Sequence, residues 1–343
     1  MVRAMPPLPP SRGAISTFVL DALRREPHVL EAFEVPVPAD PLTDDDLQLA
    51  LYACYELHYR GFDDVDARWE WEPSLLALRA ALEAQFERAL EAAVPPPRRS
   101  ELPAPEEMDV ALRAIAESDD GPSLSRHLER DGTLEQFLEF CVHRSAYQLK
   151  EADPHSWALP RLGGGPKAAM VEIQADEYGG GRADRIHAEL FARAMRALGL
   201  DGAYGAYLDL IPGVTLATVN LMSLAGLHRR RLGAIVGHLA LFEMTSSVPN
   251  RRYANALRRL GLGEDATAFF DEHVVADAVH ENIAAVDLAG GLVRQQPALC
   301  ADVLWGAGAL VELDARWAAH VLDAWDTGRS SLLAPLQAPA PVA

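Results

Sequence analysis

Residues 271–280 read DEHVVADAVH, and this stretch predicts both a helix and a set of metal ligands on it. His273, Asp277 and His280 stand at positions i, i+4 and i+7, which share one stripe of an α-helix. The residues between them are mostly small and apolar, so we expect the stripe to face an interior. Two imidazoles and a carboxylate directed at a dry interior need a charge partner, and a metal cation is the natural one.

The composition of the 343-residue chain is that of a globular protein, since 49% of its residues are hydrophobic. The formal net charge of -19 disfavours nucleic acid and anionic membranes as partners. Cys54, Cys141 and Cys300 are few, odd in number and far apart, which predicts buried free thiols in a reducing compartment, and the absence of a CxxC pair disfavours a thiolate zinc or iron–sulfur site. The sequence shows no apolar run long enough for a membrane span and no signal peptide, so we expect a cytoplasmic protein.

Helical periodicity dominates the chain, and strand signals are scarce. The sequence therefore predicts an all-α protein. We expect an N-terminal helical extension packed on the core over residues 1–104, a helical core over residues 105–330, and a disordered tail over residues 331–343. The predicted helices cover residues 43–60, 73–93, 106–118, 122–131, 133–151, 165–178, 182–198, 213–226, 230–246, 248–261, 265–282, 283–296 and 298–325.

Further candidate ligands occur in other helical segments. Glu243 has apolar neighbours, where a lone charge would be costly. Asp184 and His187 are three residues apart and share a helical face, and Glu177 would share it too if the helix were continuous. The glycines at 179–181 predict a kink or bulge there. With residues 273–280 these groups supply three imidazoles and four carboxylates, more than one tetrahedral zinc needs and suited to two ions with a bridging carboxylate.

On these residues the chain resembles the haem-oxygenase-like diiron oxidases and oxygenases, also described as iron-containing redox enzymes. The resemblance spans most of residues 130–325 and rests on Glu-x₉-His ending at His187, the isolated Glu243, and His-x₃-Asp-x₂-His at 273–280. It implies a haem-oxygenase-like helical bundle that binds two irons (Fe²⁺/Fe³⁺) in place of haem. The implied metal ligands are Glu177, Asp184, His187, Glu243, His273, Asp277 and His280.

Among members of that family, the N-oxygenating ones are the most similar. They carry an extra carboxylate seven residues before the first-helix ligand, as Glu177 precedes Asp184 here, although that second position is normally Glu. The resemblance implies an oxygenase that uses O₂ and an external reductant to convert an amine of an amino acid, such as a lysine-type terminal amine, to a hydroxylamine or nitro product in biosynthesis. No catalytic residue is expected beyond the metal ligands. Arg182 is predicted to bind a substrate carboxylate.

Other interpretations stay open from the sequence. The same metal pair would also serve desaturation or oxidative C–C cleavage of an amino or fatty acid. A helical scaffold without metal, its interior polar groups only hydrogen-bonded, is the non-enzyme alternative. A haem-degrading enzyme is disfavoured by the acidic balance and clustered carboxylates. The oligomeric state is not fixed by the sequence, and a homodimer is among the options.

Several polar residues outside the ligand set are predicted to have other roles. Glu56 and His58 are two residues apart and point in different directions on a helix, so we expect a structural role, such as Glu56 pairing with an arginine. His238 is predicted to be a hydrogen-bonded core histidine. Glu172 and Asp176 are expected to border the site or lie on the surface. The segment 150–155 is predicted to be a solvated helix end, and the alternative is that its charges hold a substrate head group.

Overall fold

The computed structural model describes residues 5–336, without the side chains of residues 276–279. Within those limits the chain is all-α and forms no β-strand, which confirms the predicted fold class. Short 3₁₀ turns join many of the helices, and residues Ile283–Gly290 form a π-helical segment. The α-helices are α1 (Ala14–Leu23), α2 (Asp45–Glu56), α3 (Pro73–Ala93), α4 (Met108–Glu117), α5 (Leu124–Arg130), α6 (Leu134–Gln148), α7 (Asp153–Ser156), α8 (Gly164–Glu177), α9 (His187–Ala197), α10 (Gly213–Leu227), α11 (Leu232–Arg259), α12 (Glu264–Asn282), α13 (Gly291–Gln295) and α14 (Cys300–Asp326).

Local sequence signals explain several helix starts. The side chain of Asp44 accepts a hydrogen bond from the Leu47 N–H and caps α2 at 2.7 Å. Thr133 and Gln136 form a capping box at the start of α6. One predicted boundary is wrong: the pattern indicated two helices on either side of residue 247, whereas α11 runs through Pro249 without a break. The tertiary contacts of α11 outweigh the local cost of that proline.

Helices α11 and α14 cross with their backbones in contact. A Cβ atom at Gly237 of α11 would collide with the Val303 carbonyl of α14, and one at Gly306 would collide with the Ala234 backbone. Glycine at both positions therefore allows an approach that no larger residue permits. On its other side α11 packs against α12, so the central helix of the bundle is held by two neighbours.

The N-terminal helices share the hydrophobic core of the rest of the chain. Leu49 and Leu51 of α2 belong to the same buried cluster as Leu216 and Leu224 of α10. The buried Asn220 amide donates to the backbone carbonyl of Gln48 at 2.9 Å. Helix α2 thus packs against α10, while the division of the chain into an N-terminal extension and a core at residue 104 stays a prediction.

Part of the predicted disordered tail is packed against the rest of the chain. Ser331 and Leu332 are buried, and the Ser331 N–H donates to the Glu139 carboxylate at 2.9 Å. The expectation of disorder from residue 331 is therefore wrong for these residues, because they cover apolar surface. Residues 337–343 lie outside the described part of the chain. Among the described helices, none is long and apolar enough to span a membrane.

Candidate metal centre

The break between α8 and α9 brings two candidate ligands face to face. Helix α8 ends at Glu177, and the glycines at 179–181 all adopt left-handed backbone angles, with φ between 60° and 79°. At Gly179 a Cβ atom would also collide with the backbone that leads to Ile186. Ile186 is extended, and α9 then begins at His187. The predicted interruption at the glycines is confirmed, and it places Glu177 and His187 at facing helix ends.

A first cluster consists of four buried residues from four parts of the chain: Glu151, Glu177, His187 and His273. Their potential ligand atoms all lie within 4.8 Å of one another. His187 Nδ1 is 2.9 Å from a Glu177 oxygen, and His273 Nε2 is 3.5 Å from a Glu151 oxygen. His273 Nδ1 is 2.8 Å from the Phe269 carbonyl, which can only accept. That bond fixes the tautomer and points the Nε2 lone pair at the cluster.

A second cluster consists of Glu177, Glu243 and His280, again buried and again with ligand atoms within 4.8 Å of one another. His280 Nδ1 is 3.3 Å from a Glu243 oxygen. Its Nε2 donates to the Asp176 carboxylate at 2.9 Å, so Nδ1 faces the cluster. Asp176 therefore orients a ligand from outside the cluster, in agreement with the prediction that it borders the site. Glu177 belongs to both clusters.

Electrostatics favour positive charge at these ligands. Burial raises the pKa of Glu177, but His187 and then His273 and His280 lower it more, and the net shift is downward. Burial lowers the pKa of His280, yet Glu243, followed by Asp176 and Glu177, raises it to about 9. The pKa of His187 is also raised, against the effect of burial, mainly by Glu177. A metal cation would meet the same demand for positive charge and displace those protons.

The donor set fits a pair of metal ions. Glu177 Oε2 and His187 Nδ1 are 2.9 Å apart without the geometry of a good hydrogen bond, and Glu151 Oε2 has no hydrogen-bond partner among the described residues. A cation bound by these converging lone pairs would satisfy the buried polar atoms. Imidazole nitrogens and carboxylate oxygens suit iron, and helix bundles hold iron pairs with such ligands. The shared Glu177 stands where a bridging carboxylate would.

Asp184 and Arg182 are not part of either cluster. Asp184 lies in the 3₁₀ turn Ala183–Arg185 with 69% of its side chain exposed, and its carboxylate is 3.2 Å from Arg182. The prediction that Asp184 lies with the other ligands is therefore corrected. The prediction fails because α9 starts only at His187, so Asp184 does not lie on the helix whose spacing placed it beside His187. Arg182 is equally exposed and paired, which leaves its predicted substrate contact without support.

The remaining predicted ligands are placed as follows. Glu177, His187, Glu243, His273 and His280 come together, from α8, α9, α11 and α12. Asp277 lies on α12 between the two histidines, but its side chain is outside the described residues.

Glu151 is the ligand candidate that the sequence analysis missed. It was assigned to a solvated helix end, whereas both it and Lys150 are buried. The Lys150 ammonium contacts Glu56 at 2.9 Å, and the next residue but one, Ala152, has a left-handed φ of 73°. This tight turn directs Glu151 into the bundle. Helical spacing gives no signal for it, because α6 ends at Gln148 and Glu151 lies in the turn that follows.

Two other predictions about polar residues can be compared with the structure. Glu56 is structural, as expected, but its side-chain partners are Lys150 and the Tyr204 hydroxyl, and an arginine contributes only the backbone N–H of Arg60, at 3.4 Å. His238 is a core histidine whose Nδ1 lies 3.1 Å from Nε2 of His155. Burial lowers the pKa of both imidazoles, to about 4 for His155, so this pair is neutral near pH 7.

Comparison with known protein families supports an iron site. A family model described as iron-containing redox enzyme matches residues 138–315. That range contains every member of both clusters and the helices α8, α9, α11 and α12 that carry most of them. No curated protein matches the chain.

Proposed function

Because the chain belongs to the family of iron-containing redox enzymes, we propose that it is a non-haem diiron, O₂-dependent N-oxygenase that acts on an amine of an amino acid. The observation that carries this proposal is the pair of buried carboxylate–histidine clusters with Glu177 in common. A single shared carboxylate between two sets of donors is the arrangement expected for two adjacent ions. The haem-oxygenase-like helical bundle supplies these ligands from separate helices.

The proposed reaction balances with an external reductant. An amine, R–NH₂, reacts with O₂, two electrons and two protons to give the hydroxylamine, R–NHOH, and water. The N–O bond forms, the O–O bond breaks, and the second oxygen leaves as water. Two irons at this site would supply the electron transfer to O₂ and the Lewis acidity that the protein itself lacks.

The side chains around the clusters prepare the site for that chemistry. The backbone carbonyl of Phe269 holds His273, and the Asp176 carboxylate holds His280, in the tautomers that direct a lone pair inward. A cavity of about 10 Å³, the size needed by one water molecule, borders Glu151 and Glu177. Apolar groups, including Leu239, form part of its wall and restrict access of bulk water. The chain thus fixes the ligands and limits the access of bulk water to them.

Iron stoichiometry and oxygen reactivity test the proposal. Protein loaded anaerobically with Fe(II) is expected to hold two irons per chain and to show an absorbance transient on rapid mixing with O₂. A true substrate, sought first among L-lysine and related amines, is expected to accelerate decay of the transient and to yield an N-oxygenated product by mass spectrometry.

Variants separate the alternatives. Glu177→Gln is expected to abolish stoichiometric iron, whereas Asp184→Asn is the matched control and is expected to retain both irons. Wild-type protein without stoichiometric iron would instead indicate a helical scaffold. An alkene or a shortened carbon chain as product would assign the site to desaturation or C–C cleavage.

A further inference from the structure

The small cavity that borders Glu151 and Glu177 has two further polar residues in its wall that belong to neither cluster. They are His155 on α7 and Gln174 on α8, whose surfaces are only 1% and 3% exposed. His155 Nδ1 and Gln174 Oε1 are buried and have no hydrogen-bond partner among the described residues. Buried polar atoms are normally hydrogen-bonded to protein or to an ordered water, so these two atoms indicate a ligand in the cavity.

The orientation of the Gln174 amide is fixed by its hydrogen bonds. Its Nε2 donates to the Ala152 carbonyl at 2.9 Å and to Ser156 Oγ at 2.7 Å. A carbonyl oxygen can only accept, so the amide atom that faces it is the nitrogen. Both hydrogens of Nε2 are thereby used, and Oε1 remains as an acceptor. The molecule that satisfies Oε1 must therefore carry a hydrogen that it can donate.

His155 is held from its other side by His238 of α11. Nε2 of His155 lies 3.1 Å from Nδ1 of His238. Because burial lowers the pKa of both imidazoles, both rings are neutral near pH 7, and each carries one N–H and one lone pair. Nδ1 of His155 is consequently a donor when its Nε2 accepts, and an acceptor when its Nε2 donates. Only a partner that both donates and accepts satisfies either arrangement.

The size of the cavity identifies this partner as water. Its volume of about 10 Å³ is the space that one water molecule needs, and a buried water typically makes about three hydrogen bonds. Water can donate to Gln174 Oε1 and also exchange a hydrogen bond with His155 Nδ1. Glu151, in the same wall, offers a carboxylate oxygen to its second hydrogen. Leu239 and Phe242 form apolar parts of the wall and separate this site from bulk water.

We propose that the cavity binds one water molecule between Gln174 and His155, and that His155 passes a proton through this water to the metal centre. His238 is the positioning residue that holds the His155 ring. The water site does not depend on the proposed function, whereas the proton transfer rests on it, because the proposed N-oxygenation consumes two protons for each O₂.

The proton transfer leaves the charge of both rings unchanged. A proton from bulk water enters at His238 Nε2, and the proton on His238 Nδ1 moves to Nε2 of His155. The proton on His155 Nδ1 moves to the cavity water, which gives one of its own protons to the oxygen that leaves as water. Each imidazole ends as its other neutral tautomer. The sequence delivers one of the two protons that the reaction consumes and requires no further oxidant or reductant.

Crystal structures of the full chain, metal-free and loaded anaerobically with Fe(II), test the water site. Wild-type protein is expected to show one ordered water within about 3.2 Å of both His155 Nδ1 and Gln174 Oε1. His155→Leu is expected to lose this water. His155→Asn places an amide atom close to the position of Nδ1 and is expected to retain it, whereas His155→Gln places one close to the position of Nε2 and is expected to lose it.

Rapid mixing of the Fe(II)-loaded protein with O₂ tests the proton transfer. Ascorbate serves as the reductant, so no amine substrate is needed. Decay of the absorbance transient is expected to slow by about 100-fold or more in His155→Asn, which holds the water but cannot relay a proton. The solvent deuterium isotope effect on this decay is expected to rise in the same variant, because proton transfer becomes rate-limiting. A merely structural role of His155 would not raise the isotope effect.

A matched control uses a histidine outside the cavity. His127 of α5 is bonded to Gln136 and does not line the cavity, so His127→Leu is expected to keep the water, both irons and the wild-type decay rate. His155→Asn is likewise expected to hold two irons per chain, since His155 belongs to neither cluster. The wild-type structure and this variant keep the proposal testable where His155→Leu folds poorly.

The outcomes separate the water site, the proton transfer and the proposed function. Wild-type protein without the water, or His155→Leu with the water unchanged, would overturn the site. Wild-type decay in a His155→Asn protein that holds two irons would overturn the proton transfer. Wild-type protein that shows the water but holds no stoichiometric iron would support the site and overturn the proposed function.

Discussion

The shared position of Glu177 predicts a specific pattern of iron-dependent stabilisation. An ion that binds only the native state stabilises it by about 2.7 kcal/mol when its free concentration is 100 times its Kd. Two such ions give about 5 kcal/mol. For a chain of 343 residues the entropy of unfolding is roughly 0.7 kcal/mol per degree, so the expected rise in Tm is about 4 °C for one ion and about 8 °C for two.

The part of this rise in Tm that a substitution removes is expected to depend on whether the residue belongs to one cluster, to both or to neither. Glu177→Gln removes a ligand from both clusters and is expected to abolish the rise. Glu243→Gln and His187→Ala each affect one cluster and are expected to leave about half of it. Asp184→Asn, at an exposed residue outside both clusters, is expected to keep the full rise.

The assay is anaerobic differential scanning calorimetry with and without Fe(II), in parallel with iron determination on the same samples. Each variant is compared with its own metal-free form, so a change in intrinsic stability does not enter the difference. The reasoning is refuted if Glu177→Gln and Glu243→Gln lose equal amounts of stabilisation, or if Asp184→Asn behaves like Glu177→Gln.

Three further predictions concern stability. Burial, followed by nearby positive charge, lowers the pKa of His143 to about 3, so the imidazole is neutral in the folded state, and its contribution to the free energy of unfolding is lost as the pH falls from about 6.5 towards 3. In urea unfolding, the free energy of unfolding of His143→Gln should therefore depend less steeply on pH than that of the wild type, and parallel curves would contradict this. Gly237→Ala places a methyl group against the Val303 carbonyl and should cost about 1–3 kcal/mol, visible as a lower Tm. Lys150→Met leaves Glu56 buried without its cation and should cost about 3–5 kcal/mol in chemical denaturation, whereas a loss below about 1 kcal/mol would show that the pair is not needed.

The fold class and most of one site could be predicted because they depend on local periodicity. The spacing of His273 and His280 on an apolar helix was sufficient to place both in the interior. Glu243 was found because its neighbours are apolar, and it is buried as that argument requires. In each case one helix carries the whole signal, so no knowledge of its packing partners is needed.

The two errors at the site both depend on tertiary structure. Asp184 was assigned by helical spacing, but the left-handed backbone at the preceding glycines delays α9 until His187. Glu151 was missed because its burial depends on Lys150, whose charge is compensated by Glu56, 94 residues earlier in the chain. Spacing within a helix cannot reveal where a helix starts after several glycines, or which distant carboxylate makes a buried lysine tolerable.

The backbone contact between α11 and α14 makes the position of Glu243 independent of the side chains further along α14. Gly237 precedes Glu243 on one helix, and Gly306 precedes Asp314 and Trp317, which line a cavity of about 310 Å³, on the other. Because main chain meets main chain at the crossing, replacement of side chains further along α14 leaves the anchor of Glu243 intact. Libraries that vary the face of α14 towards this cavity should therefore yield proteins with an unchanged capacity for metal.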